Sequence, residues 1–180
     1  MAELWDILDA QGNKTGRLHE RGKPLAPGDY MLCVHIWKHN GRGQWLIDKR
    51  TPRGHNHMDG KWETTGGAAL AGDDSLTAAL REVKEELGLT LDVAKGRFFK
   101  RIPYVNVGEN KNTSFFVDVW VFEHDCPLSD VTFQEGETCG ARWATADEIR
   151  HMMHTGEFLT EGRQGLFYPY FNEMVAWVYP

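Results

Sequence analysis

The stretch GAALAGDDSLTAALREVKEELGL, residues 67–89, decides how this chain is read. Its second half has the period of a helix with two chemically different faces. Leu76, Leu80, Val83 and Leu87 fall at i, i+4, i+7 and i+11, the apolar stripe of a helix that faces a core. On the other face Glu82, Glu85 and Glu86 fall at i, i+3 and i+4, which crowds their carboxylates. Like charges at that spacing destabilise an isolated helix by roughly 0.2–0.5 kcal/mol per pair. Three acids with no cation partner among them suit a hard divalent metal such as Mg2+ or Mn2+ better than bare solvent. Asp73, Asp74 or Ser75 can cap the helix start, and Gly88 stands where the chain leaves it in the left-handed conformation. Gly66-Gly67, just upstream, reads as a flexible turn whose carbonyls could reach the same metal.

The array G-x5-D-x7-R-E-V-x-E-E-x-G-L, with nine defined positions in 23 residues, resembles the Nudix box. The usual box is G-x5-E-x7-R-E-U-x-E-E-x-G-U, where U is apolar. Asp73 is the one departure, standing where the family has Glu. Further likeness lies in the opening WDILD-x2-G-x2-TG, the LIDKR segment and WETTGG. These resemble a bacterial Nudix subgroup related in sequence to isopentenyl-diphosphate isomerases, over roughly residues 3–160.

The resemblance implies an α/β (α+β) fold, a Nudix-type α/β/α sandwich with a mixed sheet between helices. It also implies metal-dependent hydrolysis of a nucleoside diphosphate linked to another moiety, by water attack at phosphorus. On the family pattern Glu82 and Glu86 ligate Mg2+ or Mn2+, Glu85 does so directly or through water, and the Gly66 carbonyl completes the set. Arg81 orients the glutamates, with Asp73 as its partner through a looser or water-bridged clamp, because aspartate is a methylene shorter. The family does not place its general base uniformly. Here the loop TFQEGETCG, residues 132–140, offers Glu135 and Glu137, with Glu137 preferred as extra ligand or base.

Two other functions compete. Prenyl-diphosphate isomerases use a Cys with a His two residues later, and the TTGG stretch has Thr65 and Gly67 instead. A non-catalytic binding module would be free to lose box glutamates, and Glu82, Glu85 and Glu86 are all present.

Outside the box, Arg50 and Arg53 read either as phosphate contacts or as a solvated basic pair. Trp62 is a packing anchor near the site, and Tyr104 and Phe99 line a substrate pocket or pack between strands. His55-Asn56-His57 with Asp59 fits a polar active-site loop better than a second metal site. Trp37, Trp45, Trp120, Trp143 and Trp177 are expected in the core, and Cys33 as a small buried hydrophobe. Loops 51–62, 104–113 and 132–140 are expected to choose the substrate.

At 180 residues the chain reads as one domain, 1–180, able to bury a full core. Its net charge of -6 argues against a general nucleic-acid binder. A small-molecule diphosphate remains compatible, since a metal reverses the local field. Cys33, Cys126 and Cys139 make no disulfide framework, and no apolar run is long enough to cross a bilayer, so a cytoplasmic protein with no membrane partner is expected. A homodimer is compatible with this reading.

Secondary structure follows from the same signals. An N-terminal hairpin is expected from Leu4–Leu8 and Thr15–Leu18, and a second from Tyr30–Lys38 and Gln44–Arg50 around His39–Gly43. Later strands are expected at Leu91–Val93, Phe98–Tyr104, Ser114–Glu123 and Gly140–Ala144. Helices are expected after Thr145 to about Met153 and over Pro169–Val178.

Overall fold

A computed structural model describes residues 2–54, 58–107, 113–159 and 168–180. His55-Asn56-His57, residues 108–112 of the expected 104–113 loop and residues 160–167 lie outside them. The strands are β1 (Leu4–Leu8), β2 (Lys14–Glu20), β3 (Met31–His39), β4 (Gln44–Arg50), β5 (Trp62–Glu63), β6 (Thr65–Ala68), β7 (Gly96–Val107), β8 (Thr113–Glu123) and β9 (Thr138–Thr145). The helices are α1 (Ser75–Leu87), α2 (Ala146–Thr155) and α3 (Phe171–Val178). β1 and β2 form the N-terminal antiparallel hairpin. Among the described residues the other strands make one mixed sheet ordered β5-β4-β3-β8-β7, with β6 beside β3 and β9 beside β4.

The central strand β3 shows why this sheet has helices on both faces. Leu32, Val34 and Ile36 point into a core shared with Ala78, Ala79, Val83 and Leu87 of α1. Trp37 points the other way, into a core with Ile149 and Met152 of α2 and Phe171 and Met174 of α3. A period of two with apolar residues on both sides is the pattern of a strand covered twice. β8 repeats it, sending Val117, Val119 and Val121 to one side and Phe116 and Phe122 to the other. It runs parallel to β3 from Met31↔Phe115 to His39↔Glu123. The result is the expected α+β sandwich.

β3 and β4 splay apart. They pair only at Lys38↔Leu46 and His39↔Trp45. Beyond that, β6 takes the edge of β3 from Cys33 to Ile36, and β5 takes the edge of β4 at Asp48 and Lys49. Gly66-Gly67 is therefore a strand, not the flexible turn expected, because the opened edge of β3 supplies partners for its backbone groups.

The expected apolar stripe of α1 faces the core: Val83 and Leu87 are buried with Ala78 and Ala79, and Leu76 and Leu80 pack half-buried against the same cluster. The small alanines let the helix lie close against the sheet. Two other expectations are corrected. Leu91–Val93 is not a strand: the Asp92 side chain accepts from Ala94 N at 3.0 Å and starts a 3-10 turn, Val93–Lys95. Trp37 and Trp45 are fully buried as expected, but Trp120 and Trp143 are half-buried and Trp177 is exposed. Trp177 covers the rim instead, with the Arg97 guanidinium 4.2 Å from its ring.

Of the three candidate caps for α1, Asp74 is the one used, accepting from Thr77 N at 2.7 Å. Thr145 caps α2 in a reciprocal box with Glu148. α1 ends at Gly88, with φ 69° and a space in which a Cβ would meet Thr132 Oγ1 at 1.8 Å. Gly136 shares the positive φ, at 79°, but has nothing within 4 Å. Both Gly88→Ala and Gly136→Ala should lose the roughly 1–2 kcal/mol of a left-handed alanine. Gly88→Ala should lose clearly more in urea unfolding, and equal losses would contradict the close packing at this helix end.

Candidate active site

The site begins with two glycines. A Cβ on Gly66 would stand 2.5 Å from Val34 O, and one on Gly67 would stand 2.4 Å from Glu82 Cδ. Glycine here lets β6 pair with β3 and lets α1 press Glu82 against the strand. Glu82 is 9% exposed. Burial raises its pKa, against the neighbouring Arg81 charge.

Arg81 ties the cluster together. Its Nη1 donates to Glu82 Oε1 at 2.8 Å and to Glu85 Oε2 at 3.0 Å, and its Nη2 donates to Ala68 O at 2.9 Å. Its Nε reaches Asp73 Oδ2 only at 3.4 Å, and the same oxygen accepts from Leu70 N at 3.2 Å. The Asp73 end of the clamp is its longest contact. Burial works against the Arg81 charge, and the Glu82 and Glu85 carboxylates outweigh it.

These groups face a cleft of about 380 Å³ lined by Arg50, Gly66, Gly67, Ala68, Arg81, Glu82, Glu85, Glu86, Gln134 and Glu137. Glu137 lines it and Glu135 does not. The hairpin closes one side with Glu3, Trp5 and Arg21, which the sequence reading missed. Glu3 accepts from Trp5 Nε1 at 2.9 Å and from Arg21 Nη1 at 2.8 Å.

Beneath the cleft lies a second layer of charge. Lys38 and Asp48, both fully buried, approach to 3.7 Å in the opening between β3 and β4. Thr65 bridges them, accepting from Lys38 Nζ and donating to Asp48 Oδ1 at 2.9 Å. Burial lowers the Lys38 pKa and raises that of Asp48, each against the attraction of the other. Among the described residues, Asp48 Oδ2 is buried with no hydrogen-bond partner. Arg50 Nη1 holds both oxygens of Glu63, at 2.8 and 3.2 Å. Burial and the Asp48 charge push Glu63 up to about 8 against that pairing. Glu86 goes up to about 9, through burial and the charges of Asp48, Glu63 and Glu82. Sequence reasoning missed Lys38, Asp48 and Glu63. For Lys38 and Asp48 the available signal was a charged residue directly after the apolar pairs Ile36-Trp37 and Leu46-Ile47.

The remaining expected site residues do not themselves line the acidic cleft. Arg53 is exposed, pairs with Glu137 at 2.6 Å and donates from Nε to Gly136 O at 2.6 Å. Trp62 packs at the edge of the core with Lys49 and Arg142 over its ring. Tyr104 stacks on Phe115, and burial raises its hydroxyl to about 12. Phe99 leans on Tyr170 and Trp177. Asp59 accepts from Arg53 N at 3.0 Å.

Carboxylate and carbonyl oxygens are the donors a hard divalent cation takes. The carboxylates crowded near Glu86 and the unpartnered Asp48 oxygen make this a place short of positive charge. As placed, no three His, Cys, Asp or Glu among the described residues are gathered to hold a metal ion. Arg81 engages Glu82 and Glu85 instead. The donor chemistry fits the ion class.

The sequence matches the NUDIX domain family model over residues 29–161. The chain belongs to the Nudix family. It is 37% identical over 158 residues to an uncharacterized Nudix hydrolase of Listeria monocytogenes, covering 87% of this chain and 88% of that one. It is 30% identical to Nudix hydrolase 3 of Arabidopsis thaliana, covering 84% of this chain and 20% of that one. The fold is shared with a Deinococcus radiodurans crystal structure at TM-score 0.67 and 20% identity, covering 99% of this chain and 100% of the other. A MutT protein from Methanosarcina mazei follows at TM-score 0.62 and 20% identity, covering 88% and 99%. The likeness to isomerases receives no support from these relatives. As a Nudix hydrolase, the protein acts on pyrophosphate bonds in small molecules. Nudix hydrolases generally use divalent metals such as Mg2+ or Mn2+. No helix among the described residues is long and apolar enough to cross a membrane.

The contact between Gly67 and Glu82 gives a direct test. Gly67→Ala should displace the Glu82 carboxyl and lower diphosphate hydrolysis by about a hundredfold, the scale of a 1 Å misplacement. Far-ultraviolet circular dichroism should stay that of the parent protein. Undiminished turnover in the folded variant would contradict the tight fit.

Proposed function

We propose that this Nudix hydrolase cleaves the bond between two phosphoryl groups of a small molecule in which the diphosphate joins a nucleoside or another group, by water attack at phosphorus. One observation carries the reading: Glu82, Glu85 and Glu86 line the same cleft as Gly66 and Arg50. Glu82, Glu86 and the Gly66 carbonyl would hold Mg2+ or Mn2+, with Glu85 joining directly or through water. When bound, the cation offsets the charge of the diphosphate and acidifies a water for attack.

The chain's own residues do the rest. Arg81 orients Glu82 and Glu85 through charge-assisted hydrogen bonds. Arg50, held by Glu63 at the cleft wall, presents a positive charge to a phosphate oxygen. Glu137 takes the proton of the attacking water or adds a ligand. Its place in the cleft favours it over Glu135. Arg53 steadies Glu137 through their ion pair, and Trp62 serves as a packing anchor behind the site. Tyr104 supports the substrate side through its stacking on Phe115. The helices on both faces of one central sheet support residues 1–180 as a single domain.

Glu86→Gln should lower Mg2+-dependent turnover at least about a hundredfold at saturating metal. Near-parental turnover in that variant would overturn the assignment. Glu137→Gln should cost more activity than Glu135→Gln, measured side by side. The reverse order would move the base to Glu135.

A further inference from the structure

We infer that the group joined to the diphosphate is compact and apolar, making the substrate a diphosphate ester of a small hydrophobic alcohol. This rests on the hydrolase reading of the acidic cleft and names the substrate class for it. A second cavity of about 290 Å³ opens beside that cleft and shares Arg50, Gly66, Gly67 and Ala68 with it. Its walls include Met31, Cys33, Met58, Phe115 and Leu159. The phosphates and their attached group therefore have two adjoining spaces of opposite character. Arg50 lines both and places its charge at their junction.

Among the described residues, polar groups lining the second cavity are engaged within the protein. Arg50 holds Glu63, Thr64 Oγ1 donates to Ile36 O at 2.6 Å, and His35 Nδ1 meets the Tyr170 hydroxyl at 2.7 Å. A nucleobase edge or the hydroxyls of a sugar would lose water there without gaining matched partners. An apolar group loses nothing by the same transfer and gains burial. The thioethers of Met31 and Met58 adapt their shape to such a group. The volume, just under the usual roughly 300–1,000 Å³ of ligand pockets, suits a compact group.

In the reaction the water oxygen bonds to the terminal phosphorus and the bridging P–O bond breaks. The bridging oxygen leaves on the inner phosphate. The products are the alcohol's monophosphate ester, inorganic phosphate and one released proton.

The test compares hexyl diphosphate with UDP-glucose on the full chain. Binding is measured by calorimetry with Ca2+ present, and cleavage by chromatography of the products with Mg2+. Hexyl diphosphate should bind at least about tenfold more tightly, and Met58→Gln or Met31→Gln should weaken it about tenfold while leaving UDP-glucose unchanged. Equal or tighter binding of UDP-glucose, or equal weakening of both ligands in the variants, would overturn the inference. Tight hexyl diphosphate binding without cleavage in Mg2+ would uphold the apolar cavity and overturn the hydrolase reading. Cleavage of UDP-glucose with no binding of hexyl diphosphate would do the opposite.

Discussion

Acidic side chains brought close together where water is scarce set the terms for the rest of this molecule. Asp48, Glu63, Glu82 and Glu86 repel one another and resist burial, and Lys38, Arg50 and Arg81 answer them from below and from the side. A buried carboxylate persists only when paired or when it takes up a proton. Burial and mutual repulsion raise Glu63 to about 8 and Glu86 to about 9 despite these fixed cations, a shortfall of positive charge. That shortfall is what the proposed Mg2+ or Mn2+ would meet.

The fold creates the shortfall by splaying β3 from β4. Two fully paired strands would have left no room for Lys38, Thr65 and Asp48 between them. With β6 on one edge and β5 on the other, the opening is filled by polar groups rather than by apolar packing. The same arrangement carries Gly66 and Gly67 under α1 and places Glu63 beside Arg50. Apolar cores on both faces of the sheet hold this geometry rigidly. The acidic cleft and the apolar cavity meet along β6, so one short strand borders both.

The box was legible in the sequence because its helix is written in local terms: spacing of acids, a cap and a terminal glycine. Asp74, Gly88 and the acidic ridge required no knowledge of distant contacts. β3 and β8 were legible for a similar reason, since strands covered on both faces are apolar nearly throughout. The splay was not legible, because it depends on which strand takes an edge, a choice made by long-range pairing. Gly66-Gly67 consequently read as a turn. Lys38 and Asp48 sit in different strands and become partners only in three dimensions, as do Glu3 and Arg21 of the hairpin with the cleft. The isolated Leu91–Val93 run misled because Asp92 bonds its own backbone, a local competitor that apolar pattern alone does not reveal.

Where a divalent metal binds is measured directly by diffraction. Crystals grown with Mn2+ should show anomalous density in contact with Glu82, Glu86 and the Gly66 carbonyl, with Arg81 still on the Ala68 carbonyl. Density at another site, or none at these residues under saturating Mn2+, would contradict the account.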